Sequence, residues 1–450
     1  MRIVVFICIW VFASATCLGQ ASNSYAEKMA RTVMQIWKDS LTVAEGKPVK
    51  WTYDQGVVLK GIEGLWMKTG RKEYFDYIRK SMDHFVDEKG HIRTYRQEDF
   101  SLDNILCGRI LLTLYRVTGS EKYYKAASAL REQLSLQPRL SGGGFWHKQR
   151  YPHQMWLDGL YMAEPFYAEW VDQYGEDSSF HDIARQFILM EKHARDPKTG
   201  LLYHGYDESG EQAWANKMTG TSPHFWARAM GWYGMGLVDA LPYFPADQPQ
   251  RKELIAILNR FAKAVAGVQD PSTGLWWDIL NFPHRKNNYL EASASCMFVY
   301  TLAKGVRLGY LPSSYLEKAK KGYAGIIRNF ITTEDQQMTL RGTVSVSGLG
   351  GKPYRDGSYS YYTGEKVVDN DPKGVGAFLL ASDEMELLPT LPIGKGKTVL
   401  LDSYFNNEFR KDITGRMQPF HYKWEEKDNG GFSFLGYMFG SYGVKTGTLR

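Results

Sequence analysis

One carboxylate stands alone at the head of a long apolar run: Asp158 in YPHQMWLDGLYM, residues 151–162. Pro152 closes an extended approach, and Met155, Leu157, Leu160, Tyr161 and Phe166 supply apolar positions that wind around a mostly buried helix. A charge at the entrance of such a helix has two readings. It caps the helix or pairs with a neighbouring cation, because acids are stabilised at helix N-termini, or it is an acid aimed into a cavity. A second carboxylate, Asp103, opens the apolar run LDNILCGRILLTLY, and Arg228 and the loop residues Lys148 and His204 lie near the starts of comparable segments. If those starts face one cavity, two carboxylates and several cations meet there. Such a set suits glycoside hydrolysis, in which one acid gives a proton and a second oxygen or water attacks. Neighbouring carboxylates raise one another's affinity for protons, which would make Asp158 the acid and Asp103 its ionised partner.

Convergence of that kind needs a repeated architecture. Apolar segments begin near Asp54, Asp103, Asp158, Pro223, Glu291 and Lys373. Each follows an amphipathic one, at Tyr25 to about Ser40, then 72–87, 121–134, 178–194, 250–268 and 313–330. Five of the apolar segments are rich in Gly, Ala or Ser near their starts, which lets helices approach closely and marks them as inner helices. Gly70, Gly119 and Gly175 read as helix stops before the next outer helix. The long connections 88–101, 135–155, 195–222, 269–289 and 331–372 therefore gather on the other side, with short β-like stretches among them. Two helices per unit of about 50–80 residues describe a closed toroid or an open solenoid. Six units favour closure: an all-α fold, an (α/α)6 barrel over 21–388, with its pocket where the long loops meet the inner N-termini. Beyond Leu388, LPTLPIGKGK reads as a linker and TVLLDSYF as a strand, so that 389–450 resembles the opening of an unfinished, α/β-like extension.

Composition limits the function. The chain has 450 residues with 13 Trp and 29 Tyr, more rings than a plain helical core needs; flat aromatic faces suit apolar sugar faces, and core packing accounts for many of them. Net charge is +6, or +5 without Arg2, with no long basic run, so nucleic acid is not indicated. Residues 1–20 read as a secretory signal, and the mature protein is expected to be exported, periplasmic or extracellular. Cys17 follows a poor lipobox, Ser14-Ala15-Thr16, which disfavours a lipid anchor. With Cys8 also in the leader, Cys107 and Cys296 remain and imply no disulfide framework. No later apolar run reaches the ~18 residues of a membrane span.

Taken in order, the segments WTYDQGVVLKG (51–61), SLDNILCGR (101–109), YPHQMWLDGLYM (151–162), YHGYDESGEQAWANK (203–217), SPHFWARAMGW (222–232), YLEASASCMFVYTLAKGVRLGYL (289–311) and NDPKGVGAFLLA (370–381) resemble glycoside hydrolase family 105, the unsaturated rhamnogalacturonyl hydrolases, and the related unsaturated glucuronyl hydrolases of family 88. The resemblance spans about Tyr25 to Leu388. It implies an enzyme, without a cofactor or metal, that removes a 4,5-unsaturated uronic acid from the non-reducing end of lyase-generated oligosaccharides, rhamnogalacturonan-type pectin fragments foremost. By motif match Asp158 is the catalytic acid and Asp103 its partner. Tyr53, Lys148, His204, Trp226, Arg228 and Trp232 fall at substrate-binding positions, the cations for the uronate and the rings for the sugars.

Each position has a plainer reading. Arg228 pairs with a buried acid; Lys148 shares its role with His147 or Arg150; His204, with Asp207 and Glu208, is a loop hydrogen-bonder in a spacing that lacks a metal-ligand pattern. Trp226 and Trp232 are six apart and do not share one helix face, so one of them belongs to the core. Two other functions compete, a noncatalytic carbohydrate-binding toroid and an inverting glycosidase acting on saturated uronides, and the fold alone does not choose among them.

Overall fold

The computed structural model describes residues 24–38, 41 and 49–387, with three strands near the C-terminus. The leader, Cys8, Cys17, the linker and TVLLDSYF lie outside the described residues. In chain order the helices are α1 (Tyr25–Ile36), α2 (Tyr53–Thr69), α3 (Lys72–Asp83), α4 (Gly108–Thr118), α5 (Glu121–Leu136), α6 (Leu157–Tyr174), α7 (Phe180–Ala194), α8 (Ala227–Ala240), α9 (Pro249–Gly267), α10 (Ala292–Arg307), α11 (Tyr315–Phe330), the short α12 (Tyr359–Gly364) and α13 (Pro372–Leu387). Burial sorts them into two layers. Every residue of α8 is buried, whereas α11 buries only Ala319, Gly322, Gly325, Ile326 and Phe330, one stripe of an outer helix.

The inner helices α2, α4, α6, α8, α10 and α13 pack each against the next, and α13 returns to α2. The ring is therefore closed, and the open solenoid is not adopted. Closure depends on small residues at the seam: a Cβ on Gly376 would lie 2.7 Å from the Val57 carbonyl carbon. Gly70, Gly119 and Gly175 end α2, α4 and α6 with φ of 68°, 66° and 75°, the left-handed stop that keeps the inner-to-outer turns short on one face. The opposite face carries the long loops and the hairpins β1 (Gln154–Trp156) with β2 (Gly205–Asp207), β3 (Ile331–Glu334) with β4 (Gln337–Leu340), and β5 (Thr343–Val344) with β6 (Val367–Val368). Of the C-terminal extension, the described part is an antiparallel meander, β7 (Lys423–Glu426), β8 (Phe432–Gly436) and β9 (Lys445–Leu449).

Two inner helices begin later than their apolar runs. Leu102–Asn104 forms a 3-10 turn because the Leu102 amide bonds to the His147 carbonyl, and α4 starts only at Gly108. Likewise the α8 run begins at Pro223, but the extended Trp226 pairs with Ile279, and the helix starts at Ala227. Both differences leave chemistry-bearing residues on loops tied to other loops. Farther along the inner helices is a band of buried charge, with Arg109 on Asp239 at 2.7 Å, Lys304 on Asp239 at 3.0 Å, Arg116 on Glu169 at 2.6 Å and Lys60 on Glu63.

Candidate active site

Asp158 is the second residue of α6, and the helix is capped by Trp156 without a side-chain hydrogen bond. The acid is thus not a cap. Register in the small sheet does the positioning: Trp156 pairs with Gly205, and the Leu157 amide bonds to the His204 carbonyl at 3.0 Å, which lays His204 beside Asp158. His204 Nε2 is 3.2 Å from Asp158 Oδ2, without an aligned hydrogen bond, as is common before substrate tightens a site. Oδ2 is the buried oxygen, so the 14% of the Asp158 side-chain surface that remains exposed does not come from it. His204 is wholly buried, edge-on to Trp156 and tilted against Trp226, and its Nδ1 lies 2.8 Å from the Tyr362 hydroxyl.

Asp103 sits on the 3-10 turn and is claimed by the loop at 147–148. Lys148 pairs with its Oδ2, and His147 Nε2 approaches Oδ1 at 3.6 Å. Lys148, expected to bind substrate, is therefore committed first to Asp103. This pairing also changes the expected carboxylate dyad, since the immediate partners of Asp103 are basic. His147 enters the site where the sequence offered only an alternative to Lys148. Its ring stacks on Trp156 at 4.5 Å, and burial together with the Lys148 charge pushes its pKa well below the usual value, so it is a neutral imidazole. Arg150 turns away, over the Tyr151 ring at 4.9 Å.

Arg228 is 1% exposed. It donates to the Val344 carbonyl, stands 3.8 Å from Glu291 Oε1 and covers Trp226 at 5.2 Å. Burial disfavours its charge, but Glu291 and Asp371 raise its pKa, and it stays cationic. The plainer reading, a pairing with a buried acid, is thus realised at ion-pair range. Both tryptophans back the wall. Trp226 donates from Nε1 to Asp278 at 3.0 Å and stacks with Tyr362; Trp232 stacks on Tyr161 at 5.0 Å and meets Tyr53 edge-on. Of the three expected sugar-packing rings only Tyr53 is part-exposed. Burial, with Asp54 and Asp103, raises its phenol pKa, and Arg228 opposes them. Asp207 is taken by Ser209 and Glu208 by Ser141, so they do not join His204 in a ligand cluster.

Several participants had no assigned role in the sequence reading. Tyr362 comes from the last long loop; Asp278 and Glu291 lie behind Trp226 and Arg228; Lys373 bridges Asp371 at 2.9 Å and Asp54 at 3.4 Å near the seam. Asp54, Glu291 and Lys373 had one available signal, their place at the starts of apolar segments. Two carboxylates, one with basic partners and one whose ion-pair neighbour among the described residues is an imidazole, lie among aromatic rings: the arrangement can hold an anionic sugar and move a proton.

Fold and site together define an (α/α)6 glycoside hydrolase. The family model described as Glycosyl Hydrolase Family 88 matches residues 25–388, and the chain belongs to this family together with its family 105 relatives. A solved family 105 glycoside hydrolase from C. acetobutylicum ATCC 824 is 48% identical, with TM-score 0.78 over 81% of this chain and 99% of that one. Unsaturated rhamnogalacturonyl hydrolase YesR of Bacillus subtilis is 28% identical over 60% of this chain and 74% of its own length. The unsaturated glucuronyl hydrolase of Bacillus sp. GL1, at 14% identity and TM-score 0.60 over 80% of this chain and 95% of its own, shares the fold.

Proposed function

We propose that the enzyme removes 4,5-unsaturated uronic acid from the non-reducing end of lyase-generated oligosaccharides, rhamnogalacturonan fragments foremost, by hydrating the vinyl ether rather than displacing the anomeric substituent. The observation that carries this reading is Asp158: an acid at the mouth, one oxygen buried against His204, with no Lys or Arg within ion-pair reach among the described residues. Its proton goes to C4 as the C4–C5 π pair forms the new C–H bond, leaving positive charge shared by C5 and the ring oxygen. Water adds at C5 and gives its proton to the Asp158 carboxylate, which is restored as an acid. The C5 hemiketal then opens, and the bond to the next sugar breaks in that collapse. Asp103, steadied by Lys148 and His147, orients the water. Arg228 places positive potential behind Tyr53 and Trp226 for the uronate. The YesR relative supports the rhamnogalacturonan assignment, and the leader reading supports export. The test is a matched pair of disaccharides. The unsaturated galacturonyl-rhamnose should be cleaved with loss of its ultraviolet absorbance, and the saturated galacturonide of the same linkage should be inert. Rapid cleavage of the saturated compound would replace this reading with ordinary glycoside hydrolysis.

A further inference from the structure

Tyr362 is fully buried on α12, with its ring against Trp226 and His204 and its hydroxyl as its one hydrogen-bonding contact to the site among the described residues. Its hydroxyl is 2.8 Å from His204 Nδ1, the hydroxyl's one hydrogen-bond partner among the described residues. A buried phenol keeps its proton, and that proton needs an acceptor. If Nδ1 carried the ring hydrogen and donated to the phenol oxygen, the phenolic O–H would be left without one. The O–H therefore donates, Nδ1 accepts, and a neutral His204 carries its hydrogen on Nε2, the nitrogen that faces Asp158 Oδ2 at 3.2 Å.

We infer that Tyr362 is a positioning residue that acts through His204: by fixing the Nε2–H tautomer it points a hydrogen toward Asp158 Oδ2, a 3.2 Å contact that becomes a hydrogen bond only when substrate tightens the site, and so confines the transferable proton to Oδ1. The opposite tautomer would turn the Nε2 lone pair toward Oδ2. The proton would then settle on the buried oxygen, away from substrate. The ring of Tyr362 has a separate role, stacked at 5.9 Å on Trp226, so its hydroxyl can be removed without removing that packing. Among the described residues, the titratable and charged groups that face this relay include Asp158 on α6, His147 on the loop before it, Asp278 behind Trp226, His224 edge-on to the Tyr362 ring, and Tyr361 and Arg355 between β5 and α13.

This inference rests on the hydrolase reading for its consequence but not for its central observable. In the full chain labelled with 15N-histidine, the His204 signals are identified by their loss in His204→Gln, and two-bond couplings report which nitrogen is protonated. Wild type should show Nε2–H. Tyr362→Phe should shift His204 toward Nδ1–H, lower kcat on the unsaturated galacturonyl-rhamnose disaccharide by at least ~10-fold, displace the pH–rate profile and leave KM within about twofold. An Nδ1–H tautomer in wild type overturns the inference, as does a Tyr362→Phe variant that keeps the tautomer or keeps kcat. A wild type inert toward that disaccharide, but with the Nε2–H tautomer lost in Tyr362→Phe, would overturn the hydrolase reading and uphold the tautomer assignment.

Discussion

Two carboxylates on inner helices are held in opposite ways. Asp239, on α8, accepts from Arg109 at 2.7 Å, Lys304 at 3.0 Å and the Tyr300 hydroxyl at 2.6 Å. Burial alone would favour its neutral form, but Lys304 and Arg109 hold it well below the usual carboxylate range. Asp158 has an imidazole and, among the described residues, no Lys or Arg at ion-pair range. An acid saturated by cations is a strut between helices and has no proton to give. One without a cation partner is left open to exchange a proton, the role proposed for Asp158. Asp103 is intermediate: paired with Lys148 but still part-exposed, so that a substrate carboxylate bound as proposed would compete for the cation.

The comparison breaks first at Asp158. Asp158→Asn should lower turnover by 10²–10⁴-fold, the contribution of a general acid, with an unchanged melting temperature; near-normal turnover would end its assignment. For Asp239→Asn the expected effect is the reverse: a loss of about 3 kcal/mol of stability, since Arg109 and Lys304 lose a buried counter-charge, while activity per folded molecule persists. Chemical denaturation paired with active-site titration separates the two. A variant of Asp239 that is stable but inactive would move the chemistry deeper into the barrel.

Smaller effects sharpen the picture. Asp103→Asn should cost about tenfold in kcat and weaken the handling of water more than substrate binding, because Lys148 is then freed toward the uronate; an unchanged kcat would mean that Asp103 only anchors Lys148. The smallest expected change concerns Glu164, buried on α6 with Oε2 lacking a hydrogen bond. Desolvation, and to a lesser extent Asp182, push its pKa well above the usual range against the opposing charge of Arg139. Its folded pKa lies above its unfolded one, so its stabilisation is complete below about pH 4.3 and is lost as pH rises toward the folded value. Glu164→Gln should therefore be more stable than wild type by about 1 kcal/mol at pH 8 and indistinguishable at pH 4 by thermal melts. A constant difference across that range would contradict the buried-acid account.

The ring of helices was legible because its signals are local. Small residues at five inner-helix starts and left-handed glycines at the ends of three inner helices each sit inside one element, and their recurrence reinforces the reading. Asp158 and His204 were legible one at a time, but their juxtaposition depends on the β1–β2 register, which no spacing reveals. Pairing choices were hidden for the same reason. Lys148 rather than Arg150 takes Asp103 because the 147–148 loop is tied to the turn at Leu102. Tyr362 lies 158 residues from His204 on the six-residue α12, too short for periodicity to mark it. Trp226 and Trp232 carried the right composition but not the right exposure, since a ring that suits sugar also suits a core.

The central claim is that Asp158 protonates carbon, and heavy water tests it most directly. Hydrolysis of the unsaturated galacturonyl-rhamnose disaccharide in D2O should place deuterium at C4 of the released uronyl product, and labelled water oxygen should enter at C5. A 4,5-unsaturated product released with its alkene intact and no deuterium at C4 would contradict the account.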